Sequence, residues 1–212
     1  PHLYWTLGLP ALDETTLSRT IRATMTDENS EPEMDEDGLV IQRHQSRVLV
    51  VLPSEGAGEQ ILRYARSSLH AIHVGTTTVA PSLIITGRLQ DEFTVDGALA
   101  DARIDDYAGI LVAGCEGEHP LARDEDVLGL VRHAAQEGKL IAAWGNGLSV
   151  LAEAGVLKGL KVTGDGAQDV ARAAGAKYTG RQVESCRGNT VTALDESAGM
   201  RFGQALAKAV GI

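Results

Sequence analysis

Gly109-Ile110-Leu111-Val112-Ala113-Gly114-Cys115-Glu116-Gly117 is the stretch on which the fold turns. Its first half is an unbroken aliphatic run, short enough for a strand and apolar on both faces, as a strand inside a covered parallel sheet must be. Its second half is a glycine-rich turn. Working outward, Val48–Leu52 repeats the pattern and is followed by the turn Ser54–Gly58 and a helix over Glu59–Leu69. Leu140–Ala143 repeats it again, with the turn Trp144-Gly145-Asn146-Gly147 and a helix from Leu148. Further strands are expected at Ala71–Val74, Ser82–Thr86, Phe93–Val95, Lys161–Thr163, Gln182–Glu184 and Thr190–Ala193. Helices are expected at Asp124–Glu137, where Val127, Leu128, Leu130, Val131 and Ala134 make an apolar stripe, and at Asp169–Ala174 and Ser197–Val210. Strands alternating with helices imply α/β architecture: a three-layer sandwich with a mostly parallel sheet and helices on both faces.

Composition narrows the function classes. The 212 residues are 43% hydrophobic and carry a formal net charge of −10. No stretch approaches the roughly 20 consecutive apolar residues of a membrane-spanning helix. No basic stripe is present to neutralise phosphates, so neither membrane nor nucleic acid is expected as a partner. Two cysteines, Cys115 and Cys186, make no disulfide framework and fit a reducing cytoplasm. The chain opens Pro1-His2-Leu3-Tyr4 with no basic n-region, so no secretory signal is visible, and without an initiator Met an excised N-terminus stays open.

The charge is uneven. Residues 1–46 hold nine acids against three bases, and seven of the eleven residues from Asp27 to Asp37 are acidic, the signature of a flexible linker. Upstream, Leu17, Ile21 and Met25 recur every four residues behind Asp13-Glu14-Thr15-Thr16, which predicts a short capped helix. The first dozen residues, with Trp5 and four leucines, are too apolar for a free tail and are expected to dock on their own domain or on a partner subunit. The chain therefore divides into an N-terminal arm, 1–46, and a regular domain, 47–212.

Ligands of open parallel sheets bind at the carboxyl ends of the strands, where the three glycine-rich turns lie. Strand, Gly145-x-Gly147 and helix make half of a dinucleotide fingerprint, but the third glycine and the following acid are missing, so no nucleotide cofactor is expected. No metal is expected either. His70 and His73 straddle the start of a predicted strand and would point to opposite faces, and a zinc site needs three or four clustered ligands.

The run Tyr107–Gly114 resembles the strand and glycine turn of the ThiJ/PfpI family, the DJ-one superfamily of class I glutamine amidotransferase-like folds. The likeness continues through Leu121–Arg132, Gly138–Ala143, Leu151–Gly159 with Lys161–Thr163, and the ending from Ala174 to Ala193. It covers most of residues 47–212 in the family's order and none of 1–46. It implies a flavodoxin/Rossmann-like sheet and a site on the strained turn between strand and helix. In the family that turn carries a cysteine followed by histidine or alanine. Here the matching positions are Gly145 and Asn146, so the thiolate that would be the nucleophile is missing. A second family histidine corresponds to Asp165 or its neighbour Gly164. The family's glutamate after the first strand corresponds to Glu59, or to Gln60 with a slip of one residue.

Cys115 stands where the family has the second glycine of its oxyanion-hole turn. It is read as a small buried hydrophobe, the alternative being a relocated nucleophile with His119 as its nearby base; the other reading of His119 is a surface residue before Pro120. Cys186 is read as an incidental thiol in a turn. Trp144 is read as a core aromatic rather than a lid. The ligand pocket is expected to comprise Glu59, Gly114, Cys115, Trp144, Gly145, Asn146 and Asp165. Gly-x-Gly elbows also resemble the C-terminal domains of large-subunit catalases, which share this fold without its cysteine and imply a structural or chaperone-like role. The expectation is a pseudoenzyme: a non-catalytic, cytoplasmic, homo-oligomeric domain working through small-molecule binding, assembly or a chaperone-type role. The alternative is a hydrolase or lyase with a site rebuilt from Glu59, Cys115 and Asp165.

Overall fold

The structure is a computed structural model that describes residues 46–88 and 91–211. The apolar segment around Trp5, the helix over Leu17–Met25 and the acidic linker all lie outside the described residues.

The chain runs through β1 (Arg47–Val51), β2 (Glu55–Ala57), α1 (Glu59–His70), β3 (Gly75–Ala80), β4 (Ile84–Gly87), β5 (Glu92–Thr94) and β6 (Gly97–Ala98). It continues through β7 (Gly109–Val112), α2 (Glu125–Gln136), β8 (Leu140–Trp144), α3 (Leu148–Glu153), β9 (Lys161–Val162) and α4 (Gln168–Ala173). The last elements are β10 (Lys177–Tyr178), β11 (Val183–Cys186), β12 (Thr190–Ala193) and α5 (Gly199–Val210). A seven-stranded sheet has the order β11-β12-β8-β7-β1-β3-β6, and all its pairings are parallel except β11 with β12. Strands β2, β4 and β5 form a separate small sheet, and β9 pairs with β10.

Alternation along the aliphatic strands sorts the core into two layers. Val48 and Val50 of β1, Leu111 of β7 and Ala142 of β8 pack with Ile61, Ala65 and Leu69 of α1 and with Phe202 and Leu206 of α5. Leu49 and Val51, Ile110 and Val112, and Ile141 and Ala143 face the other way, onto Val127 and Val131 of α2 and Leu148 and Leu151 of α3. Val48 to Leu52 are all fully buried. Burying one such side chain contributes about 1.5–3 kcal/mol, which is why these short strands hold the centre. The mostly parallel three-layer arrangement is thus present. None of the described helices is long and apolar enough to cross a membrane.

One expected strand is corrected. Ala71–Val74 is the exit turn of α1: the Ala71 N–H donates to Ser67 O (3.1 Å), the Ile72 N–H to Leu69 O (3.1 Å), and His73 is left-handed at φ 59°. The strand begins at Gly75, in a threonine run that reads as polar. Thr78 can be buried there because its N–H and Oγ1 both donate to Asp96 Oδ2 at 2.7 Å. His70 ends a helix and His73 sits in its exit turn, so neither begins a strand. The strands near Ser82 and Phe93 fall at β4 and β5, outside the main sheet.

Helices α1 and α5 meet at glycines. A Cβ added at Gly203 would lie 2.7 Å from Tyr64 O and 2.9 Å from Ser68 Cβ, whereas Gly129 on the exposed side of α2 has nothing within 4 Å. Gly203→Ala is expected to cost about 1–3 kcal/mol of stability through overpacking. Gly129→Ala is expected to add about 0.5–1 kcal/mol through helix propensity. Urea unfolding midpoints check both signs.

Candidate functional site

Strand order reverses between β1 and β7: β1 leads outward to β3 and β6, and β7 leads the other way to β8 and β12. The carboxyl ends of strands on either side of such a reversal splay apart and leave a crevice. A cavity of about 280 Å³ opens there. It is lined by β2 and the residue after it (Gly56, Gly58), by the segments at the ends of β7 (Gly114–Gly117), β8 (Trp144–Asn146), β9 (Asp165, Gly166) and β12 (Asp195, Glu196), and by Arg88 after β4.

The turn after β8 is a sharp elbow in a conformation that only glycine adopts freely. Gly145 has φ 55°, a left-handed conformation that costs a residue with a Cβ about 1–2 kcal/mol. A Cβ built on Gly145 would meet only Gly114 Cα at 3.9 Å and Leu194 O at 4.0 Å, so the elbow has room for a side chain and carries none. Two residues on, Gly147 sits directly over β7. A Cβ there would fall 2.8 Å from Val112 O and 2.9 Å from Ala113 O. Between them, Asn146 joins the two glycine turns. Its Oδ1 accepts the Cys115 N–H (2.8 Å), and its Nδ2 donates to Gly117 O (2.7 Å) and, more weakly, to Cys115 Sγ (3.6 Å). Asn146 is therefore committed to holding the site's walls together.

Cys115 is half-buried on the opposite wall. Burial pushes its thiol above the ordinary range, the hydrogen bond from Asn146 opposes that shift, and the neighbouring Glu116 carboxylate adds to it. A thiol held protonated is a poor nucleophile. His119 is neither a surface residue nor a free base: only 4% of it is exposed. Its Nε2 lies 2.7 Å from Ala113 O and its Nδ1 accepts the Leu121 N–H at 3.3 Å. That pattern places the proton on Nε2 and leaves neither nitrogen spare. Burial holds the imidazole below its usual range, with the Ala113 carbonyl pulling the other way.

Of the expected pocket residues, Gly114, Cys115, Trp144, Gly145, Asn146 and Asp165 line the cavity, and Glu59 does not. Glu59 opens α1, where its carboxylate is turned onto Gly87; Oε1 is buried without a hydrogen-bond partner. The trio Glu59, Cys115 and Asp165 is thus not assembled around one space. Trp144 is 2% exposed and meets Phe202 edge-to-face at 6.1 Å, so it is a core aromatic with one edge on the cavity. Cys186 ends β11 and packs on the α2 side of the core.

Sequence reasoning missed Arg88, Glu116, Asp195 and Glu196, which give the lining four carboxylates, with Asp165, against one guanidinium. Asp195 and Glu196 come two and three residues after the end of β12, a position that could have flagged them; nothing local flags Arg88. Asp165 Oδ1 accepts the Gly166 N–H at 3.0 Å, and Asp195 Oδ1 accepts the Ser197 N–H at 2.8 Å. Among the described residues no group of three or more His, Cys, Asp or Glu is arranged to hold a metal ion.

The buried neutral His119 makes stability depend on pH. Below the ordinary imidazole range the unfolded chain takes up a proton that the folded one refuses. Its contribution is therefore complete above about pH 6.5 and declines as pH falls toward the lowered folded value. The wild-type urea midpoint is expected to drop more between pH 7.5 and pH 5.5 than that of His119→Gln, narrowing the gap between them. Parallel pH profiles for the two proteins would contradict this.

A model of the DJ-1/PfpI family matches residues 46–209. A stretch of 128 residues, 58% of this chain, is 32% identical to an uncharacterized protein of Methanocaldococcus jannaschii and covers 62% of it. A stretch of 121 residues, 57% of this chain, is 31% identical to DJ-1 protein homolog E of Arabidopsis thaliana and covers 30% of it. The chain thus matches less than two thirds of the length of either relative. Among solved structures, the ThiJ/PfpI domain protein from Brachyspira murdochii superposes with a TM-score of 0.73 at 18% identity, over 78% of this chain and 96% of that one. Drosophila melanogaster DJ-1beta superposes with a TM-score of 0.70 at 22% identity, over 78% and 90%. These likenesses show the same fold, and the family model spans nearly the whole regular domain: the chain belongs to the DJ-1/PfpI family.

Proposed function

We propose that this chain is a non-catalytic member of its family whose cavity binds a small molecule. The observation that carries the reading is the elbow at Gly145: its left-handed backbone and surrounding space are present, and no side chain fills them. No thiolate can form at a glycine, and nothing else in the lining replaces it. Cys115 is held as a thiol, His119 is fully engaged outside the cavity, and Glu59 is turned away. What persists is a recess of about 280 Å³ whose lining includes four carboxylates and one guanidinium. Like charges lining a concave, partly desolvated surface focus its field, so the recess favours a compact, positively charged ligand rich in hydrogen-bond donors.

Two measurements test this. Purified protein is expected to show no peptidase, deglycase or amidase turnover above buffer; turnover that survives Cys115→Ala and Cys186→Ala would overturn the link between thiol loss and lost chemistry. Trp5→Phe leaves Trp144, on the cavity wall, as the only tryptophan. Titration with a small diamine or an alkylguanidine is expected to give a saturable emission change that acetate does not. No saturable change with the cations, or an equal response to acetate, would refute the binding reading.

A further inference from the structure

We propose that Arg88 is a strap across the mouth of the cavity, anchored on both rims by carboxylates and released when those ion pairs break. Arg88 follows β4, which belongs to the small sheet rather than the large one. From there its Nε donates to Glu116 Oε1 at 2.8 Å, on the turn after β7. Its Nη1 lies 3.7 Å from Glu196 Oε1, on the turn after β12. One guanidinium thereby links three segments that no backbone hydrogen bond joins among the described residues, with Cys115 immediately beside the first anchor.

The second anchor depends on a glycine. A Cβ on Gly58 would lie 3.0 Å from Glu196 Cδ and nearer still to its Oε1, so a larger residue would push the Glu196 carboxylate off this wall.

The exposures place the strap at the rim and set its strength. The side chains of Arg88, Glu116 and Glu196 are 51%, 69% and 27% exposed. Ion pairs this wet are individually weak and screened by salt, so they open readily. A buried pair would instead lock the three segments together, because breaking it would strand a charge away from water. The half-exposed arginine side chain can swing into solvent by rotation about its own bonds. The strap is independent of what the cavity takes, because the half-buried Cys115 thiol inside reports on access by itself.

The test uses the full chain with Cys186→Ser, so that alkylation by uncharged iodoacetamide reads Cys115 alone. Rates are compared on the plateau above the thiol's titration, which separates access from ionisation. Arg88→Ala is expected to raise the plateau rate about two- to fivefold, the equivalent of losing one or two exposed ion pairs. The rate with Arg88 present is expected to climb as salt rises from about 0.01 M to about 1 M, where the Debye length shrinks from ~30 Å to ~3 Å. With Arg88→Ala that climb is expected to vanish. Glu196→Gln, which removes one anchor, is expected to fall between the two. An unchanged plateau in Arg88→Ala, or the same salt response with and without the arginine, would overturn the strap.

Discussion

Everything at the site depends on how closely the turn after β8 can lie against the end of β7. Gly147 rests on the Val112 and Ala113 carbonyls with no room for a methyl group, and Asn146 then hydrogen-bonds across to Cys115 and Gly117. Because the two turns are joined this way, Gly145 is forced into a left-handed conformation and faces the crevice opened by the reversal of strand order. The strands beneath are buried aliphatics that bring the large stabilising term, and the glycines of the turns above take up left-handed conformations without steric cost. A buttressed, left-handed position with no side chain on it is the central fact about this chain.

The core is legible in the sequence because burial on both faces writes itself as continuous aliphatic runs. Val48–Leu52, Gly109–Ala113 and Leu140–Ala143 read as strands, and the stripe over Val127–Ala134 as a helix. The strand at Gly75–Ala80 is not legible, since three consecutive threonines look like surface until Asp96 is known to satisfy Thr78. The apolar Ala71-Ile72 pair nearby attracts the strand assignment instead. In the small sheet, β4 and β5 are legible as the short runs at Ser82–Thr86 and Phe93–Val95, whereas β2, three residues inside a glycine-rich turn, leaves no signal.

The site is half legible for the same reason. Turns that follow main-sheet strands can be placed at the carboxyl edge, and Gly114, Cys115, Trp144, Gly145, Asn146 and Asp165 line the cavity. Glu59, or Gln60 with a slip of one residue, is the position that the family resemblance assigns to a site carboxylate, but spacing along a helix start does not say which way a carboxylate turns, and that of Glu59 lies on Gly87. Arg88 enters from the excursion outside the main sheet, where no pattern in the sequence predicts its reach to Glu116 and Glu196. His119 is one of six histidines, and only the fold shows its burial and the engagement of both its ring nitrogens.

We propose that the elbow still holds the backbone as the presentation of a nucleophile requires and lacks only the side chain. The most direct test is the alkylation rate of Gly145→Cys in a Cys115→Ser, Cys186→Ser background, alongside its urea midpoint. The account predicts a folded protein destabilised by about 1–2 kcal/mol, the strain of a side chain at positive φ. It also predicts a thiol that iodoacetamide modifies faster than the native Cys115. An unfolded variant, or an introduced thiol no more accessible than Cys115, would contradict it.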